Sequence, residues 1–341
     1  MKRLLTILLS AAFLLTALGC GGNPADTPTG ETITDAAGAV LPIPEDGGKE
    51  TIASVYAVAV PFIVALDLEN QVLAINCKSS FWTTAVPALG EAGSVGRGVM
   101  DLEALASYRP TVVLHRVGDP KTVEAVEKLG IRTLCISAED MEGVKDTLAL
   151  LGKYFGKSAR AQEVSDWIDG KLEKIDGIVA TIPQEERVTA LVMGGELGRV
   201  AGGDMLQTYM IEKAGGIPVA KDVTGNRNWA SVGVETIFTW NPDVLFCTSS
   251  TVLEYAVEDL LTDPTWAAMR AIQTGRVSVI PARIDSWDLP GVASVLAIFY
   301  MLHEMYPSYF TADQLQAEVD EYYTMMFGKT FDADYLGYTL E

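Results

Sequence analysis

The sequence predicts an α/β protein of two lobes, each built on a mainly parallel sheet flanked by helices, joined by a single long α-helix. Three observations predict it. Leu102-Glu103-x-Leu105-x-x-Tyr108-x-Pro110-x-Val112-Val113-Leu114 recurs 132 positions later, from 234, as Val234-Glu235-x-Ile237-x-x-Trp240-x-Pro242-x-Val244-Leu245-Phe246. Each copy reads as a short amphipathic helix, stopped because the residue before a proline resists helical geometry, then an apolar run suited to a buried strand. Strand-like and helix-like segments alternate on both sides of residues 158–182, at the spacing of parallel βαβ units. Residues 158–182 carry Val164, Trp167, Ile168, Leu172, Ile175, Ile178, Val179 and Ile182 at three- and four-residue steps, one helix about 37 Å long.

Length and charge agree with this division. A chain of 341 residues exceeds the size at which one core stops growing, and 49% apolar residues suffice for two. The 25 basic and 45 acidic residues leave a net charge of −20, which argues against nucleic acid or an anionic membrane surface as partner.

Taken in order, residues 1–19 read as a signal peptide: Lys2-Arg3, then an apolar run from Leu4 to Leu18 that is short for a membrane span. Ala17-Leu18-Gly19-Cys20 resembles a bacterial lipobox, so Cys20 is the expected lipidation site and a lipid anchor the expected link to the membrane. Residues 20–32 form a polar, turn-rich tether. The first lobe, 33–157, starts with a hairpin turning at Ala37-Gly38. It continues through strands at Ile52–Val55, Val72–Ile75, Val112–His115 and Arg132–Ile136, with helices near Val60–Leu68, Leu102–Tyr108 and Thr122–Leu129. The second lobe, 183–341, offers strands Val188–Met193, Val244–Cys247 and Val277–Ile280. Its helices are expected at Met205–Ala214, Thr265–Ile272, Val292–Met305 and Ala312–Phe327, the last packing on the lobe surface.

In open α/β sheets ligands gather beyond the carboxyl ends of the strands. There the sequence places Arg116, Arg199 and Arg283 with the aromatic residues Tyr56, Phe81, Trp82, Trp229 and Trp287. Guanidinium groups grip anionic oxygens two at a time and aromatic walls cover flat apolar surface, so the set suits a bulky anionic ligand such as a metal chelate. Glu103 and Glu235 hold the same place in the two repeats, an arrangement that suits docking to a two-fold symmetric partner. With only His115 and His303 in the chain, no metal site built from several imidazoles is available, and no resident cofactor is expected. Cys77, Cys135 and Cys247 lack C-x-x-C spacing and read as small buried apolar residues. The sequence holds no G-x-S-x-G, H-E-x-x-H or P-loop motif, so catalysis is not expected, and an extracytoplasmic enzyme or metal-handling protein stands as the alternative class.

A family resemblance gathers these readings together. The mature chain resembles the class III, helical-backbone substrate-binding lipoproteins of ABC importers for ferric siderophores, haem and corrinoids. The likeness runs through Ile33-Thr34-Asp35-Ala36-Ala37-Gly38, Asp101-Leu102-Glu103, Arg109-Pro110 and Ala214-Gly215-Gly216. It continues through Trp229-Ala230-Ser231-Val232, Asn241-Pro242-Asp243-Val244, Asp263-Pro264-Thr265-Trp266, Gly275-Arg276-Val277 and Met305-Tyr306-Pro307. It implies a lipid-anchored extracytoplasmic receptor that holds a small-molecule metal chelate between its lobes. It also implies delivery to an ABC permease dimer with its ATPase, Glu103 and Glu235 meeting arginines of that dimer. The three arginines favour a ferric siderophore, with a corrinoid or haem as the alternative.

Overall fold

The computed structural model describes residues 30–76, 80–225, 229–248, 253–283 and 285–338. The expected signal peptide, Cys20, most of the tether and Cys77 lie outside the described residues, as does the side chain of Phe81. Among the described residues no helix is long and apolar enough to cross a membrane.

The hairpin forms as read, β1 (Thr32–Thr34) pairing antiparallel with β2 (Val40–Pro42). Its turn needs Gly38, at φ 85°, and is closed by Asp35, whose Oδ1 accepts from the backbone of Ala37 at 2.9 Å and Ala39 at 2.8 Å. The other oxygen of Asp35 accepts from Cys135 N at 2.9 Å and so ties the hairpin to the first lobe.

That lobe contains β3 (Ile52–Ser54), α1 (Ala59–Ala65), β4 (Val72–Ile75), α2 (Ser80–Ala85), α3 (Pro87–Gly90) and β5 (Gly93–Ser94). It goes on through α4 (Leu102–Tyr108), β6 (Val112–Arg116), α5 (Pro120–Lys128) and β7 (Arg132–Ile136). Its five strands run in the order β5-β4-β3-β6-β7, and every pairing is parallel. Helix α6 (Met141–Tyr154), which the sequence reading does not anticipate, buries Val144, Leu148 and Leu151 on one stripe and packs along the connecting helix α7 (Ser158–Val179). Helix α7 stops short of the expected residue 182 because Pro183 keeps Ile182 out of helical geometry.

The second lobe repeats the plan with β8 (Thr189–Met193), β9 (Arg199–Val200), α8 (Leu206–Lys213), β10 (Ile217–Pro218), β11 (Ala230–Ser231), α9 (Val234–Trp240) and β12 (Val244–Cys247). After these come α10 (Val257–Thr262), α11 (Arg270–Gln273), β13 (Val277–Val279), α12 (Ser294–Met305), α13 (Ala312–Phe327) and α14 (Ala333–Leu336). Strand β12 lies between β8 and β13 just as β6 lies between β3 and β7, while β9 and β11 add an antiparallel edge at the carboxyl end of β8. The repeat is literal: α4 and α9 have seven residues each and end in a left-handed residue, Arg109 at φ 51° and Asn241 at φ 42°, before the proline. The expected helix at 265–272 shrinks to α11, because the Asp263 carboxylate takes Thr265 N at 2.8 Å and holds a turn there.

The last helices do more than cover a lobe. Thr311 and Gln314 form a capping box at the start of α13, which then runs along α7. Lys171 meets Glu318 at 2.7 Å and Glu321 at 2.6 Å, Lys174 also meets Glu318, and Trp167 Nε1 donates to Glu321 at 2.9 Å. At its far end Phe327 rests on Trp82 of the first lobe, ring centroids 5.8 Å apart. One continuous apolar core accordingly runs from Ile52 and Leu134, across Ile168 of α7, to Val192, Phe246, Phe299 and Tyr322.

Candidate functional site

Segments that follow strands of the two sheets approach each other. Pro61, shortly after β3, touches Gly291, which follows β13: a Cβ on that glycine would stand 3.3 Å from the proline ring. Tyr209 of α8 lies within electrostatic range of Asp140 and Glu142 at the start of α6. Burial first, then the charges of Asp176 and Asp140, raise its hydroxyl above the ordinary range. Pro61 and Gly291 thus mark a place where the two lobes meet.

In the first lobe Tyr56 and Arg116 stand near each other at the ends of β3 and β6. Burial pushes the Tyr56 hydroxyl up to about 12, the Glu139 carboxylate adding to the effect and Arg116 opposing it, so it stands as a neutral donor. Arg116 is 55% exposed and its Nη2 lies 3.9 Å from Asp119, too far to be consumed by that pair. His115 faces inward instead: it is buried, with Nε2 placed 3.2 Å from Asp119.

In the second lobe Arg199 and Trp229 stand side by side. A Cβ at Gly194 would lie 2.8 Å from the Trp229 ring and 3.1 Å from Arg199 Cβ, so the bare glycine lets both pack against this turn. The turn is fixed from behind, Tyr255 donating to Gly194 O at 3.2 Å and Glu254 N to Gly195 O at 2.7 Å.

The remaining expected residues lie elsewhere. Trp82 and Trp287 are core residues: Trp287 is 1% exposed, donates to the Tyr323 hydroxyl at 3.1 Å and packs against Tyr300 and Tyr338. Large indoles next to a strand end fill the interlobe core before they can line a cleft. Arg283 turns to the C-terminal segment, donating to Asp334 O at 2.5 Å in a groove with Tyr300, Glu304 and Tyr338. Phe81 belongs to α2.

Several polar residues that no motif announces join the floor of the second lobe. Gln207 Nε2 donates to Asp288 O at 2.7 Å, Thr248 donates to the Asp288 carboxylate, and Gln207 Oε1 is buried with no partner among the described residues. Burial raises the Cys135 thiol to about 12 and the Cys247 thiol to about 11, which leaves both unreactive. No three His, Cys, Asp or Glu side chains converge as metal ligands would among the described residues.

Glu103 and Glu235 occupy the first turns of α4 and α9, both exposed. Asp101 caps α4, accepting from Glu103 N at 3.1 Å and Ala104 N at 3.0 Å. Each carboxylate therefore sits at the positive end of a short helix at the same place in its lobe.

Comparison with known proteins agrees with this architecture. The family model described as periplasmic binding protein matches residues 52–284. The molybdate-binding protein MolA of Haemophilus influenzae is 22% identical over 247 residues, 69% of either chain. The structure of MolA bound to molybdate matches with a TM-score of 0.76 at 18% identity, covering 89% of this chain and 99% of that one. A periplasmic solute binding protein from Veillonella parvula gives 0.75 at 22% identity over 91% and 96% of the two chains. The CeuE protein of Helicobacter pylori with Ni(II) bound gives 0.74 at 20% over 89% and 98%. With more than half its length matched by the family model, the chain belongs to the periplasmic binding proteins, the extracytoplasmic solute-binding components of ABC transporters.

Proposed function

We propose that this chain captures an anionic metal chelate of the ferric siderophore class between its lobes and delivers it to an ABC permease dimer with its ATPase. What supports the reading is that each lobe carries an arginine beside an aromatic residue after a central strand, Arg116 with Tyr56 in the first and Arg199 with Trp229 in the second. In a protein of net charge −20 two guanidinium groups after central strands supply the attraction an anion needs. Tyr56, held neutral, donates a hydrogen bond and Trp229 covers flat apolar surface. The chain binds and releases its cargo without covalent chemistry. Glu103 and Glu235 meet cationic residues of the permease, and Cys20 carries the lipid anchor. A second reading, a small tetrahedral oxyanion, is supported by the likeness to MolA.

The test is tryptophan quenching and visible absorption with a ferric catecholate, haem, cobalamin and molybdate added in turn. The ferric chelate should quench at micromolar concentration or below. Arg116→Ala and Arg199→Ala should each weaken it about tenfold to a hundredfold. Saturation by molybdate alone selects the oxyanion, and saturation by none of the four ends both readings.

A further inference from the structure

We infer that each docking carboxylate works together with one exposed aliphatic side chain, Val99 beside Glu103 and Leu197 beside Glu235. The permease dimer then receives them in two cationic points, each rimmed by an apolar pocket. This rests on the docking reading above and adds a hydrophobic component to it.

Isolated exposed aliphatics are ordinary on protein surfaces, so exposure alone decides nothing. What singles out these two is that rigid turns hold them out. Val99 is 78% exposed, next to the buried Met100. Its loop is closed by a bridge between Gly96 and Met100, with Gly96 at φ 107° and so close to the Val99 carbonyl that a Cβ would stand 2.1 Å from it. Asp101 N donates to Val95 O at 2.9 Å, and Asp101 then caps α4, so no slack separates Val99 from Glu103.

Leu197, 44% exposed, belongs to a different loop, one that pairs with the residues just before α9. It lies in the turn closed by Arg199 N on Glu196 O at 3.1 Å, with Gly198 at φ 83°. Val232 N donates to Gly198 O at 2.8 Å, which clamps this turn to the residues leading into α9 and Glu235. In the register of the repeat, Val99 corresponds to Ser231 (99 + 132), which is polar. The second lobe therefore lacks the apolar residue in its own copy of the loop and regains one from the β8–β9 turn. Two unrelated loops presenting the same side-chain type beside matched carboxylates point to one partner that reads both. A second copy of this chain is a poor candidate, since it would bring the same carboxylates together.

The experiment measures binding of the full chain to its permease–ATPase complex in nanodiscs across a range of salt concentrations. Val99→Ser with Leu197→Ser should weaken binding about tenfold or more while leaving its salt dependence, the thermal midpoint and chelate affinity unchanged. Glu103→Gln with Glu235→Gln should weaken binding and flatten the salt dependence. Wild-type binding by the serine pair alongside weakened binding by the glutamine pair overturns this inference alone. Wild-type binding by both pairs removes the docking reading itself. A serine pair that changes only self-association, measured by sedimentation, assigns the aliphatics to a homodimer and also overturns the inference.

Discussion

In the first lobe a buried carboxylate is met by three backbone N–H groups; in the second, one is met by a single phenol. Asp35 accepts from Ala37, Ala39 and Cys135, and Asp285, fully enclosed, accepts only from Tyr322 at 3.1 Å among the described residues. The lobes share a sheet plan and a helix carrying a matched Glu, yet they finish it differently. The first has a wholly parallel five-stranded sheet and a self-contained loop before its Glu helix, and the second adds an antiparallel edge to its sheet, two buried aspartates and the helices that return to α7. What is duplicated is the sheet order and the helix with its exposed Glu. What differs belongs to holding the lobes together.

The comparison breaks first at docking. Glu103→Lys with Glu235→Lys should abolish transport, by a hundredfold or more in an uptake assay on the order expected for two reversed charge pairs, with chelate affinity unchanged. Each single reversal should cost the same, and a strongly unequal cost would show that the lobes do not share the contact.

Next in size are the two aspartates, which should respond with opposite signs. Burial raises the Asp285 carboxyl to about 7 from 3.8. Because the folded value is the higher one, the protonated form's stability is complete below about 3.8 and drains away as pH rises through 7, by up to about 4 kcal/mol. Asp285→Asn should remove that slope and raise the thermal midpoint at pH 8. Asp35→Asn should instead destabilise the fold at pH 8, by about 2 kcal/mol, because one of the two oxygens that accept backbone N–H bonds becomes an NH2 group. Equal signs would show that the two enclosures are alike after all.

The interlobe strap comes third. Glu318 is 3% exposed between Lys171 and Lys174, so Glu318→Ala leaves Lys171 with Glu321 as its remaining partner and should cost about 2 kcal/mol in denaturant unfolding. If the loss is negligible, α13 does not brace α7.

Much of the first-order architecture is legible in the sequence because parallel strands and amphipathic helices write their periodicity directly. The strands at Val72–Ile75, Arg132–Ile136 and Val244–Cys247, and the helices at Leu102–Tyr108 and Ala312–Phe327, form with the bounds that pattern implies. The two Glu helices were visible because a repeat carries its own register. Other features escape for physical reasons. Helix α6 has a stripe of Val144, Leu148 and Leu151 but begins within a charged stretch that reads as loop. Trp82 and Trp287 look like cleft walls until the return of α13 places Phe327 and Tyr323 against them. Gln207, Thr248 and Asp288 come together only in three dimensions, and no spacing connects them.

Because α13 lies along α7 and ends against Trp82, the final stretch of the polypeptide completes the first lobe's packing. The two lobes therefore cannot mature independently: the spine and the surface around Trp82 stay partly bare until residues 312–327 have docked. Removing residues 312–327 should thus damage the whole molecule and not one lobe alone, a dependence that ties the folding of both halves to a single late-docking helix.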